Sequence, residues 1–248
     1  PMTSTAGTKK QSAAKTIIGT GVGNALEWYD WNVYASFAIY LSRQMFDSKD
    51  PASAFLATMA VFAVGFVARP FGGVVLGWVA DHTGRKNSLT LSVLTASAGA
   101  LLIALCPTYS QVGLWSSVIL LVARILQGLA HGGELPSAQT YLAEESPREH
   151  RGYWASSIYV SGTLGLILGL VIGLILSLTL SEDAMSAWGW RVPFAIGAVL
   201  GLFALWMRSK MEESVVFEAD AEAPEEAKEN VFQIADNHWR KGLRVIVM

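Results

Sequence analysis

This chain predicts an all-α membrane protein, a bundle of six transmembrane helices, and three observations carry that prediction. Of 248 residues, 52% are hydrophobic and only 15% charged, an unusually apolar balance for a soluble domain. The apolar residues gather into six runs, near 17–42, 53–80, 88–106, 112–142, 152–180 and 190–208, and about 20 helical residues suffice to cross the hydrocarbon of a bilayer. The basic residues between the runs are unequally shared. Lys9, Lys10, Lys15, Arg85, Lys86, Arg148, Arg151, Arg208 and Lys210 fall on one side, and only Arg43, Lys49 and Arg191 on the other. The positive-inside bias places the N-terminus and the segment after the sixth run in the cytoplasm, making this a multi-pass protein of the cytoplasmic (inner) membrane. Lipid offers no partner to unpaired backbone groups, so each run is expected to be a helix.

Residues 1–16 form a cytoplasmic N-terminus, and 17–208 the six-helix unit. The first run holds Glu27 and Asp30 and lacks a small-residue cleavage site, so it does not read as a signal peptide. The second and third runs are joined by a tight turn rich in glycine and charge, the fourth and fifth by Ala143-Glu144-Glu145-Ser-Pro-Arg148-Glu-His-Arg151-Gly152. In the fifth run Gly165, Gly169 and Gly173 repeat every four residues and line one helical face, as close helix contacts require. After the sixth run comes an acidic central cytoplasmic loop, 209–241, and then 242–248, which reads as the start of a truncated seventh span. The single cysteine, Cys106, allows no intrachain disulfide, and a net charge of −2 gives no footprint for nucleic acid.

Four ionisable residues lie deep in the predicted bilayer, where charge costs roughly 2.5 to more than 10 kcal/mol and marks function. Glu27 is about 15 Å into span 1, Arg69 about 18 Å from Asp81, Arg124 at comparable depth in span 4, and Asp30 one turn from Glu27. Two acids and two arginines at one depth suggest a pair of ion pairs, which either lock the bundle or serve transport. Asn24, Glu27, Trp31 and Tyr34 share about 80° of helical arc, and so do Arg124, Gln127, His131 and Glu134. His131 could relay protons near neutral pH or sit as a neutral donor. No cofactor is implied. No acid, His or Cys accompanies His131 at ligand spacing, so no metal is expected. No Ser-His-Asp, phosphate loop or soluble catalytic domain supports an enzyme, and no re-entrant filter supports a channel.

The turn after span 2 reads Gly77-Trp-Val-Ala-Asp81-His-Thr-Gly84-Arg85-Lys86. It resembles the G-x-x-x-D-x-x-G-R-K signature of the major facilitator superfamily, of which this chain looks like the N-terminal half. Further strings are Gly23-Asn24-Ala-Leu-Glu27-Trp28-Tyr29-Asp30, Val67-Ala-Arg69-Pro70-Phe-Gly72-Gly73, Arg124-Ile-Leu-Gln127-Gly128-Leu-Ala-His131-Gly132-Gly133-Glu134 and Trp188-Gly-Trp190-Arg191-Val-Pro193-Phe194. Over about residues 16–217 they resemble the metabolite:proton symporter family, most closely its α-ketoglutarate permeases. His131 departs from the small or apolar residue expected there.

The resemblance implies secondary active transport: proton-coupled symport of a small organic anion such as a dicarboxylate, by alternating access. On this reading Asn24, Tyr34, Arg69, Arg124 and Gln127 bind substrate, and Glu27, Asp30, Glu134 and His131 handle the proton. Gly77, Asp81, Gly84, Arg85, Lys86, Glu144 and Arg151 form a cytoplasmic gate. The resemblance also implies that Arg124 pairs with an acid of span 1. A proline/betaine-type osmolyte, held by the faces of Trp28, Tyr29, Trp31 and Tyr34, is the alternative cargo. A half-transporter fragment that does not itself transport is another alternative. The resemblance places span 5 against the other half of such transporters. The glycine faces of spans 2 and 5 are therefore expected to take up a second copy of the chain or the missing C-terminal half.

Overall fold

The first long helix, α1 (Ala13–Ser36), turns at Phe37 and continues as α2 (Ala38–Met45). It is followed by α3 (Pro51–Thr83), α4 (Arg85–Leu105), the short α5 (Tyr109–Val112) and α6 (Leu114–Glu145). A 3-10 turn, Arg148–His150, leads into α7 (Arg151–Thr179); the short α8 (Glu182–Ala184) and a π turn, Met185–Gly189, lead into α9 (Arg191–Ser209). This computed structural model describes residues 13–47 and 49–213. The expectations for Lys9 and Lys10, for most of the acidic loop and for the start of a seventh span lie outside the described residues. Observed and expected helix ends differ by a few residues.

Five helices, α3, α4, α6, α7 and α9, are long and apolar enough to cross a membrane. Helix α1 is missing from that set because of composition, since its 24 residues would extend about 36 Å. Its polar residues Thr16, Thr20, Asn24, Glu27 and Asp30 are all buried, so it presents them to protein. Helices α6 and α9 both run opposite to α4. Arg85 of α4 therefore meets Glu144 of α6, and Lys86 reaches the Ser209 carbonyl at the end of α9. At the opposite end Arg191 donates to the Ala104 and Cys106 carbonyls, binding α9 to the last turn of α4. Between α3 and α4 the chain turns at Gly84, whose φ of 108° suits glycine. Asp50 starts α3 by accepting from the Ser53 hydroxyl and N–H, which hold its carboxyl below the ordinary carboxylate range.

Glycine decides how closely α3 and α6 cross. A Cβ at Gly128 would overlap the Gly65 carbonyl, one at Gly72 the Leu129 backbone, and one at Gly132 the Arg69 carbonyl. Backbones thus touch at the depth of Arg69 and Arg124, as small-residue crossings in membranes allow. This corrects the expectation that the span-2 face around Gly72, Gly73 and Gly77 awaits an outside partner: Gly72 and Gly73 face α6, and of the three only Gly77 would leave an added Cβ in open space. The stripe on α7 is corrected in the same way. Gly162 fits under Trp28, Gly165 on the Ala25 carbonyl and Gly169 against Asn32, so the stripe seats α7 on α1. Removing side chains there lets the polar helix sit deep in the bundle. On these two helices the exposed apolar residues include Val67, Phe71, Val74 and Trp78 of α3 and Tyr159, Val160, Leu164 and Leu178 of α7, and α4, α6 and α9 carry others.

Candidate functional site

Helices α1, α3, α6 and α7 enclose a cleft of about 320 Å³ lined by Asn24, Glu27, Trp28, Arg69, Leu135, Gln139, Ile158, Tyr159, Gly162, Thr163 and Leu166. On its wall Arg69 Nη2 donates to Glu27 Oε1 at 2.5 Å; of the two unassigned acid–arginine pairs expected among the four midplane charges, the structure forms this one among the described residues. The Arg69 guanidinium also lies 4.0 Å from the Trp31 ring and 5.5 Å from that of Phe66. Such contacts stabilise a cation by about 0.5–2 kcal/mol while leaving its N–H edges available.

Arg124 is placed differently from expectation. It lies outside the cleft wall, is 1% exposed, and no carboxylate lies within ion-pair distance among the described residues. Its Nη1 donates to Gln127 Oε1 at 2.9 Å, and its guanidinium stacks 4.7 Å from Tyr34 and 5.1 Å from Phe62. Neither acid of span 1 pairs with it: Glu27 meets Arg69, and Asp30 faces His131, with Oδ2 3.8 Å from Nε2. Asp30 lies some 60° around α1 from Glu27, and the seating of α1 on α7 turns it toward the His131 face of α6.

Asn24 and Tyr34 are committed to packing as well as position. Asn24 Nδ2 donates to the Ile158 carbonyl at 2.5 Å and to Ser161 Oγ at 3.1 Å, tying α1 to α7. The Tyr34 hydroxyl donates to the Thr58 carbonyl. What remains unsatisfied is concentrated. Eight buried side-chain nitrogens and oxygens lack hydrogen-bond partners among the described residues, and five belong here: Glu27 Oε2, Trp31 Nε1, Arg69 Nε, Arg124 Nε and His131 Nε2. Native interiors leave few such groups, and each costs about 1–3 kcal/mol.

Glu134 has a partner that sequence reasoning missed. Arg208, counted among the loop charges, is 0% exposed and forms a doubly hydrogen-bonded pair with the Glu134 carboxylate. A signal did exist: Arg208 follows seventeen residues of α9 with no other charge after Arg191, so it still belongs to the helix.

At the end of the bundle bearing Arg85, three gate residues come together. Arg85 Nη1 lies 2.5 Å from Asp81 Oδ1, and its Nε 3.6 Å from Glu144 Oε1. Lys86 N–H donates to Glu213. Arg151 does not join them: it is exposed at the first residue of α7 and takes part in no ion pair among the described residues. A Cβ at Gly77 would meet nothing there.

The family described as Sugar (and other) transporter matches residues 16–242. Alpha-ketoglutarate permease of Escherichia coli (strain K12) is 41% identical over 198 residues, covering 80% of this chain and 46% of that protein. A Staphylococcus haemolyticus protein, provisionally named a proline/betaine transporter, is 41% identical over 222 residues, 89% of this chain and 47% of its own. The chain thus spans about half the length of the curated relatives it matches. Among solved structures, the partially occluded inward-open xylose transporter XylE from E. coli superposes with a TM-score of 0.78 at 18% identity, over 86% of this chain and 53% of that one. That likeness bears on the fold alone.

Proposed function

We infer function from one premise: this chain belongs to the sugar (and other) transporter family of the major facilitator superfamily, with one half of that fold. It is a multi-pass membrane protein of a family of transporters, whose named relatives are transporters or permeases rather than enzymes. The proposed activity is proton-coupled symport of a small carboxylate by alternating access, with the N-terminus and the Arg85 end in the cytoplasm. The observation that supports it most is the Glu27–Arg69 pair on the wall of a cleft, with Glu27 Oε2 and Arg69 Nε left without hydrogen-bond partners.

The chemistry is competition for a guanidinium. A substrate carboxylate entering the cleft takes the open N–H edge of Arg69 and displaces Glu27. A carboxylate deprived of its guanidinium in a low-dielectric site is favoured to bind a proton, so anion and proton load together. When the site opens inward, the substrate leaves, Arg69 reclaims Glu27, and the proton departs to the cytoplasm. In this proposal Asp30 and His131 are further stations for the proton, Glu134 is held by Arg208 in the frame, and Arg124 with Gln127, Asn24 and Tyr34 completes the substrate site. Asp81, Arg85 and Glu144 act as the gate, with Gly84 at its turn and Lys86 beside it, while Gly77 and Arg151 stand apart from the cluster. The exposed apolar faces of α3 and α7 are the proposed seat for a second copy or for the other half of a transporter.

Proline and betaine remain a second reading because relatives carry those names. Those solutes share a carboxylate with α-ketoglutarate, so both readings use the arginines. The aromatic faces favour the anion: Trp31, Phe66, Tyr34 and Phe62 are already covered by Arg69 and Arg124, and an ammonium there would sit beside two guanidiniums. In proteoliposomes, Glu27→Gln is expected to lose uphill α-ketoglutarate uptake and keep counterflow exchange. Accumulation by that variant on an imposed proton gradient defeats the proposal.

A further inference from the structure

Arg208 and Glu134 form the most completely enclosed charge pair among the described residues, with side chains 0% and 3% exposed. From α9 the guanidinium gathers groups from three other helices. Its Nε donates to the Gly19 carbonyl of α1 at 3.2 Å, its Nη1 to the Leu89 carbonyl of α4 and to Glu134 Oε2 of α6, and its Nη2 to Glu134 Oε1. Ser92 of α4 adds a hydrogen bond to the same carboxylate. Helix α1 makes room for the pair at Gly23, where a Cβ would overlap both the Arg208 guanidinium and the Glu134 carboxylate. Gly23 is one helical turn from Glu27, and Gly19 two turns, so the pair grips α1 directly beneath the acid that meets Arg69.

Stability alone does not account for this arrangement. Two charges taken out of water lose solvation that their attraction barely returns, and well-packed apolar side chains of similar size serve a core as well or better. What a guanidinium offers, and an apolar contact does not, is direction: donors in a rigid plane that fix the height and rotation of each acceptor. We propose that Arg208 is a positioning residue, whose clamp on Glu134, Gly19 and Leu89 sets the register of α1 against α4 and α6 and so the height at which Glu27 meets Arg69. The functional half of this statement rests on the transport reading above; the register does not.

The test replaces both charges, Glu134→Leu with Arg208→Met, so that no ion is left buried alone, and in parallel makes Arg208→Lys. Three quantities are read: the melting temperature in detergent, the distance between spin labels at the exposed Ile18 of α1 and Trp78 of α3, and α-ketoglutarate affinity. The double variant is expected to melt within about 5 °C of the parent. Its label distance should shift or broaden by about 1.5 Å, one residue of helical rise. Its affinity should fall by about tenfold or more, as ångström-scale misplacement of a reacting group costs. Arg208→Lys keeps the charge but not the planar fork, and is expected to recover part of the affinity. If the double variant does not fold, the lysine variant decides: parent-like distance and affinity overturn the proposal. Parent-like distance and affinity in a folded double variant overturn it too. Should the parent itself not bind α-ketoglutarate while the label distance still moves, the transport reading fails and the positioning of α1 stands.

Discussion

Two carboxylate–guanidinium pairs are buried in this bundle, and they are built on opposite principles. Glu134–Arg208 is sealed: each oxygen of the carboxylate is bound to the guanidinium, Ser92 donates to one, and Arg208 reaches two backbone carbonyls as well. Glu27–Arg69 is left open. It has one direct hydrogen bond, Glu27 Oε2 and Arg69 Nε are unsatisfied, and the Arg69 side chain is 29% exposed beside a cleft. The first has the economy of a joint and the second that of a binding site. A buried group that is already saturated gains nothing from a new partner, whereas an unsatisfied one stands to gain from any ligand that fits.

The sharpest way to break this contrast is to remove one charge from each pair and compare. Glu134→Leu leaves Arg208 buried without its counterion and is expected to cost about 3–5 kcal/mol, enough to unfold much of the protein in detergent. The midplane pair should respond less, as argued below, and thermal unfolding followed by circular dichroism orders the two. Equal losses would mean that exposure and saturation do not separate the pairs.

An intermediate effect tests the scaffold that holds the open pair. Gly132→Leu drives a side chain into the Arg69 carbonyl across the α3–α6 crossing, an overpacking expected to cost about 1–3 kcal/mol. Because the clash falls on the backbone that carries Arg69, α-ketoglutarate binding should weaken more than the stability loss alone accounts for. Gly77→Leu, with open space around it, serves as the control and is expected to leave both unchanged.

Glu27→Leu is the milder deletion. Arg69 keeps its contacts with Trp31 and Phe66 and its access to the cleft, so the loss is expected near about 1 kcal/mol, discounted for solvent screening. Uptake driven by a proton gradient should nonetheless disappear. A destabilisation matching that of Glu134→Leu would assign Glu27 to the frame instead of the cycle.

The sequence made the helices legible because lipid imposes a length, and a run of about twenty apolar residues is what crossing the hydrocarbon demands of a helix. That Glu27 and Arg69 would each be partnered was legible for a related reason, since ions at that depth need partners, but which would meet which was not. Two more things were hidden. Arg208 lies one residue from the end of α9, where a long cationic side chain can snorkel outward or fold inward. The choice depends on Glu134, 74 positions away. The partner of Arg124 was misread because depth can be counted along a helix, whereas rotation about its axis is set by packing. Gly165 and Gly169 seat α1 on α7 at an angle that turns Asp30 to His131 and leaves Arg124 with Gln127 and two rings. For the same reason a small-residue stripe predicted a contact correctly and its partner wrongly.

The smallest expected effect lies at the Arg85 end. Asp81 is half exposed and Arg85 partly so, and a solvated pair of this kind contributes about 0–1 kcal/mol to folding. Asp81→Asn is therefore expected to melt like the parent. The same energy has a larger consequence when two conformations compete, because about 1.4 kcal/mol changes their ratio tenfold. If Asp81, Arg85 and Glu144 hold one end shut, Asp81→Asn should make cysteines placed in the cleft, at Thr163 for instance, react faster with a water-soluble maleimide added from the cytoplasmic side, and added salt should reduce the difference between variant and parent. Identical labelling rates at low salt would reduce the cluster to surface decoration. The difference between a pair that stabilises and a pair that switches would then be confined to the midplane.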